Sequence, residues 1–398
     1  MKKFTLIAIL LLASCAKDSV NYERALVITD DIYYEKETGQ PYSGPIFALY
    51  ESGMKREEGN LVEGKRHGRF TVWHGNGEKD QEGRFNNGMQ TGKWTYWDED
   101  GQKYLEENFK DGMKNGLFTL YEDGNKKRQG NYRNKKKDGL FMEWHENGLK
   151  KQEGSFSNGI QTGKWTYWNE DGQRYLQESY REGQKDGLFI EWHENGQKSN
   201  EQVWKEDRKD GLFTEWHENG NKKRQGVLGD FNYKSGKWTY WEQNGSKYLE
   251  EEYVDGNKEG VQISWYENGQ KNMEQEYKND MKDGLFTAWY KDGKKKQNGK
   301  FLNGVKSGKM TYWYNDGTTW LQENYDNGKK NGVMMGWYQN GKKSIEESWE
   351  SDKKDGPHLM WYANGKKKEE GSMKDGREVG EWIYYKEDGS IDKVLDHD

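Results

Sequence analysis

Three imidazoles invite a metal reading: His145, His193 and His217 each directly follow a tryptophan at one recurring position. If one hairpin separates His193 from His217, stacking sets the two rings about 9 to 10 Å apart. Ligands of a shared ion lie about 2 Å from it, so the column cannot close on a metal. Paired acids at Glu106–Glu107 and Glu250–Glu251 have the groups for acid–base work on a glycosidic bond. They recur on equivalent segments, however, whereas catalysis needs one pocket that drives two pKa values apart. The segment DEDG (98–101) lacks the alternating oxygen ligands and distal Glu of a calcium loop. G-x-S-x-G, G-x-x-x-x-G-K-[ST] and H-E-x-x-H are all missing from the sequence. The expectation is therefore no catalytic residue, no metal and no cofactor.

Aromatic side chains are the stronger candidates for function. A Trp or Tyr recurs five positions after a glycine, from Trp73 and Trp97 to Trp361 and Tyr385. Such a column is suited to stacking against sugars or partner chains, but with 31% hydrophobic residues it is also the material for a core. Trp97, Trp168 and Trp241 are expected to form the buried layer. The next residue is polar in the early repeats and then Tyr266, Tyr290, Tyr314, Tyr338 and Tyr362. Those five tyrosines form a stripe suited to a partner and are the candidate partner-binding residues. Lysine runs at 135–137, 294–296 and 366–368 are expected to keep turns and strand edges solvated.

The elements that position these residues follow from an internal period. Glycines open matching segments at 44, 68, 92, 116, 139, 163, 187, 211, 236, 260, 284, 308, 332, 356 and 380. The spacing is 24 residues apart from one of 23 and one of 25. A second glycine, usually after Asn or Asp, closes each strand, as at Gly77, Gly101 and Gly148. Asn-Gly and Asp-Gly tolerate the positive φ of a tight turn, so each unit reads as strand, tight turn, strand and a looser loop such as NNGMQTG (86–92). Hairpins this short need neighbours to stack on. The fold class expected is all-β: an elongated, solenoid-like repeat array of about fifteen 24-residue β-hairpins in a long twisted antiparallel sheet. A longer period of three units appears in GKWTYW at Gly92, Gly163 and Gly236, GKMTYW at Gly308 and GEWIYY at Gly380. No boundary interrupts 44–389, which is treated as one domain.

The first residues combine Lys2 and Lys3 with the apolar stretch Phe4 to Leu12, too short to span a bilayer and built like a targeting segment. LASC (12–15) resembles the bacterial lipoprotein signal, in which the cysteine is lipidated and becomes the first residue. Cys15 is the only cysteine, so no internal disulfide is available. The organisation expected is a signal peptide at 1–14, a lipidated N-terminus with spacer and first strand at 15–43, the array at 44–389 and an end at 390–398. Losing the two leader lysines takes the formal charge from −6 to −8, which argues against a nucleic-acid partner. Ala16, where some lineages place a retaining Asp, favours the outer membrane.

The unit G-x-[FW]-x-x-W-x-x-[ND]-G-x-x-K resembles the bacterial MORN-type repeat variant found in YwqK-type proteins, which carry an antitoxin label. Residues 31–70 are especially similar to the start of such proteins, and the resemblance covers about 31–390. It implies a β-hairpin array for contacts with proteins, lipids or the cell surface, and no catalytic residues. The expected function is a monomeric, lipid-anchored envelope scaffold making multivalent contacts with a protein or surface partner, in adhesion or host contact. The alternatives are a saccharide-binding wall module and an antitoxin-like or immunity protein.

Overall fold

The computed structural model describes residues 17–397; the leader 1–14, Cys15 and Ala16 lie outside the described residues. The chain is all-β and built from repeated hairpins whose strands follow one another through the sheet in sequence order, antiparallel to their neighbours. It divides into two compact units, Met1–Gln184 and Lys185–Asp398.

In the first unit the strands Met89–Trp97 and Lys103–Lys110 show the repeating hairpin. Two turn types alternate, in the reverse order from the one expected. The tight turns join one hairpin to the next: Asn87 and Gly88 both have positive φ, at 50° and 80°, and connect Asn86 directly to Met89. This is the mirror-image turn that matches strand twist. The wider turn follows the tryptophan, where Asp98 N–H donates to the Gln102 carbonyl at 2.9 Å and Gly101 N–H to the Asp98 carbonyl at 3.0 Å. Only its glycine needs positive φ. The framework glycines do not start the strands either. Gly92 sits within Met89–Trp97 at φ 64°, at a register break between Glu82↔Thr95 and Arg84↔Thr91, which is a bulge glycine.

The buried layer lies two residues after the framework glycine. Phe70, Trp94, Phe118, Phe141 and Trp165 are buried in the first unit, and Phe213, Trp238, Met310 and Trp382 in the second. Trp97, Trp168 and Trp241, expected to be the core, are half-buried. The reason is a further set of glycines on the returning strands. Trp165 covers Gly154, where an added Cβ would stand 2.1 Å from the indole, and Gly226 lies likewise beneath Trp238 at 2.3 Å. A ring laid flat over a strand glycine buries both and replaces the missing side chain. Returning-strand aromatics meet these rings edge-on, as Phe156 meets Trp165 with centroids 5.2 Å apart at 83°.

The N-terminal segment, expected as spacer and first strand, packs as a cap on the first hairpins. Val20–Asn21 pairs in parallel with Gly44–Leu49. One helical turn, Tyr22–Ala25, is N-capped by the Asn21 side chain. The hairpin Leu26–Thr29 with Ile32–Glu35 follows. Tyr22, Leu26, Tyr33 and Tyr42 bury against Ile46, Ala48, Leu61 and Phe70. In the second unit the last strand, Ile391–His397, pairs with Arg377–Tyr385, and Ile391, Val394 and Leu395 are exposed.

Candidate functional site

The tyrosine stripe and the histidine column occupy one structural position and do one job. Tyr266, Tyr290, Tyr314 and Tyr338 donate their hydroxyls to the carbonyls of Trp289, Trp313, Trp337 and Trp361, and Tyr362 donates to that of Tyr385, at 2.7 to 3.0 Å. His193 and His217 place Nε2 at 3.1 and 3.0 Å from the carbonyls of Trp216 and Trp241. In the first unit His74 and His145 do the same to Trp97 and Trp168 at 2.9 Å. Each side chain reaches one hairpin forward and satisfies a backbone acceptor at the strand end. Turn asparagines run beside them: Asn147 donates to the Glu170 carbonyl at 2.6 Å and Asn340 to that of Ala363 at 2.8 Å. The turn edge is thus a ladder of forward-reaching donors, and the five tyrosines, all half-buried, keep only ring faces for a partner.

The half-buried tryptophans form a second ladder, satisfied within the fold. Lys150 lies 5.7 Å from the Trp168 ring centre and 2.5 Å from Glu153. Lys271 repeats this with Trp289 at 5.7 Å and Glu274 at 2.7 Å. The acid pairs split between two environments. Glu250 takes Lys237 and Lys247, both at 2.9 Å. Glu251 is buried, and despite that burial Lys258 at 2.6 Å and the Tyr253 hydroxyl at 2.6 Å hold its carboxyl below the usual range. Glu323 has the same arrangement with Lys330 and Tyr325, both bonds near 2.7–2.8 Å. Burial and the Glu323 carboxylate push the Tyr325 hydroxyl up. These acids are internal ion-pair partners locked by hydrogen bonds.

Sequence reasoning missed a third column. Opposite each tryptophan the returning strand carries one unpaired residue: Tyr240 pairs with Leu249 and Trp241 with Lys247, leaving Tyr248 as a bulge. The same offset leaves Lys223, Lys296, Trp320 and Lys368 outside the pairing in the second unit, and Tyr104 and Tyr175 in the first. From Tyr104 to Trp320 every third bulge is aromatic and exposed: Tyr104 by 39%, Tyr175 by 47%, Tyr248 by 38% and Trp320 by 40%; the next in the series is Asp392. The available signal was the recurring KYLEE, RYLQE and TWLQE, in which the ring adjoins a cationic or Thr residue of fixed register.

The 23-residue unit has its own consequence. Its turn shortens to Asp123–Gly124 between Glu122 and Asn125, and beside it opens a polar recess of about 790 Å³ walled by Glu122, Lys126, Trp144, His145 and Glu170. Among the described residues no group of three or more His, Cys, Asp or Glu is placed to hold a metal ion. No described helix is long and apolar enough to cross a membrane.

The family described as MORN repeat variant matches residues 90–111, 209–227, 258–279 and 354–375. No curated protein sequence matches the chain. Among solved structures, the crystal structure of TcdB2-TccC3 is 10% identical, with a TM-score of 0.17, over 88% of this chain and 21% of that one. A mutant of the Photorhabdus luminescens Tc holotoxin pore is 9% identical, with a TM-score of 0.16, over 93% of this chain and 25% of that one. This chain therefore spans only 21–25% of the length of those chains, and TM-scores this low do not mark a shared fold.

Proposed function

We propose that this MORN-type repeat protein is a non-catalytic binding scaffold that makes many similar contacts with one extended partner and is tethered in the bacterial envelope through a lipid on Cys15. The observation that carries the reading is the recurrence of the same outward-facing groups at fixed spacing. Tyr248 and Trp320 occupy one bulge position three hairpins apart, as Tyr104 and Tyr175 do in the other unit. Repeated weak sites acting on a repetitive partner gain affinity through effective concentration rather than through any single tight contact. The polar groups that catalysis would need are instead engaged with one another, as Glu251 is with Lys258 and Tyr253.

Tethering is supported by the leader pattern and the lone Cys15; the outer membrane is the preferred location, with contact to a host or cell surface as the role. The test is metabolic labelling with a fatty-acid probe followed by protease shaving of intact cells. Label that disappears in Cys15→Ser, together with loss of the chain on shaving, is the expected result. An unlabelled chain would defeat the lipid tether, and a labelled chain protected from protease would move the scaffold to a periplasmic partner.

A further inference from the structure

We infer that the bulge column of the second unit is a binding surface for an acidic polysaccharide, with Tyr248 and Trp320 as stacking platforms for sugar rings and Lys296 and Lys368 as partners for its carboxylates. The inference names a partner class for the scaffold proposed above and rests on that reading.

The platforms are exposed but held in place. Trp320 packs edge-on to Tyr312 with centroids 5.8 Å apart at 71°, and against Tyr314 at 6.3 Å. Both tyrosines are fixed by their hydroxyls: Lys306 donates to that of Tyr312 at 3.1 Å, and Tyr314 donates to the Trp337 carbonyl at 3.0 Å. Tyr248 packs against Tyr240 at 6.1 Å, and Lys234 donates to the Tyr240 hydroxyl at 2.5 Å. A ring whose neighbours are already ordered offers its free face at little further entropic cost.

The charge on the column matches an anionic chain. Lys296 occupies the bulge one hairpin before Trp320 and rests over the Tyr290 ring, 5.8 Å from its centre. Tyr290 in turn belongs to the ladder that leads to Tyr314, so cation and platform share one edge. Among the described residues no carboxylate lies within ion-pairing distance of Lys295, Lys296 or Lys368, whereas the neighbouring Lys294 and Lys367 pair with Asp292 and Glu370. The segment 290–300 carries Lys291, Lys294, Lys295, Lys296 and Lys300 against the single acid Asp292. The lysine runs 294–296 and 366–368 therefore fall in register with the bulge column, and solvating an edge would not require that register.

The spacing favours a polysaccharide over a nucleic acid. Tyr248 and Trp320 stand six strands apart along the sheet, about 29 Å. Single-stranded nucleic acid is held by stacking successive bases on neighbouring rings, and the bulges between these platforms carry Asn272 and Lys296 instead. A sugar chain touches the Tyr248 ring, crosses Lys296, touches the Trp320 ring and continues to Lys368.

The test is calorimetric titration of the full chain with polygalacturonate at low salt, with dextran and single-stranded DNA as comparison ligands. Polygalacturonate is expected to bind in a salt-sensitive way and dextran much more weakly. Trp320→Ala should weaken binding about fivefold while Trp320→Tyr largely retains it. The pair Lys296→Glu and Lys368→Glu should weaken binding and flatten its salt dependence. Leu285→Ala, 63% exposed and away from the column, should leave it unchanged, with thermal melts confirming that each variant is folded. Failure of polygalacturonate to bind, equal binding of dextran or DNA, or indifference to Trp320→Ala would overturn the inference. None of these results touches the labelling and shaving test, so the partner class can fail while the tethered scaffold stands.

Discussion

The hairpin opening at Gly163 in the first unit and the one opening at Gly308 in the second occupy the same place in the three-hairpin block, yet they fill it differently. In the first, Trp165 covers Gly154, Gln161 flanks the cluster, and the Tyr180 hydroxyl donates to Glu178 at 2.7 Å. In the second, Met310 covers Gly299, with Sδ 1.9 Å from where a Cβ would stand. Lys306 replaces the glutamine and lies 4.6 Å from the Tyr325 ring centre. Both covers are buried, Trp165 to 1% and Met310 to 0% exposure. What the site demands is an apolar lid on a bare strand glycine. A rigid indole provides it by shape, and a flexible thioether provides it by adapting.

That contrast can be broken most forcefully at the lids. Trp165→Ala should cost about 4 kcal/mol, and Met310→Ala about 3 kcal/mol, in chemical denaturation of the full chain. Equal losses would mean that the indole is no better a lid than the thioether. The glycines sharpen the same point. Gly154→Ala should cost about 3 kcal/mol because its Cβ meets an indole that cannot bend, whereas Gly299→Ala should cost about 1 kcal/mol because Met310 can swing aside. A reversed order would show that the sheet, not the lid, gives way.

A third comparison concerns titration. At His358, the side chain sits on the strand paired with Gly371, 5.2 Å from the Trp382 ring that covers that glycine, and stands 3.0 Å from Glu347 and 3.1 Å from Glu369, with Lys354 paired to the same Glu347 oxygen. The bond to Glu347 raises its pKa above 6.5; burial opposes the rise, and Glu369 adds to it. A raised folded-state value stabilises the protein below the unfolded pKa and loses that contribution as pH climbs through the folded one. Melting temperature should therefore fall as pH rises above about 6.5, and His358→Gln should flatten that slope. A slope unchanged by the substitution would place the titration elsewhere. The smallest effect belongs to the turn ladder: Tyr290→Phe should cost about 1 kcal/mol by leaving the Trp313 carbonyl without its donor. His145→Phe, at the same position in the other unit, should match it within about 0.5 kcal/mol if the acceptor alone matters.

Much of the fold was legible because the period is carried by glycines, and a glycine at fixed spacing leaves few backbones to choose from. Hairpin repeat, strand content and the three-unit block all follow from it. The order of tight and wide turns was not legible, since Asn-Gly and Asp-Gly serve both: Asn87–Gly88 needs two positive φ values and Gly77 only one. The core was misplaced for a related reason. Every unit after the first repeats an aromatic at the Trp97 position, so regularity drew the eye there, while the buried position alternates among Phe70, Trp94 and Met310. Its regularity lies in the partner glycines at 83, 154, 226, 299 and 371. The tyrosine stripe was seen, but its equivalence with the histidine column needs the shared carbonyl acceptor, which no residue type announces.

The pairing of lids with bare glycines also sets a rule for how such an array can change length. Removing the single hairpin 356–379 would lay Trp382 beside the strand of Glu347, where a carboxylate and its lysine already fill the space. Removing 308–379, three hairpins at once, would instead set Trp382 over Gly299, a seat shaped like the one it left. Growth and shrinkage of this chain are thereby quantised, with 72 residues as the smallest step that leaves every neighbour a familiar face.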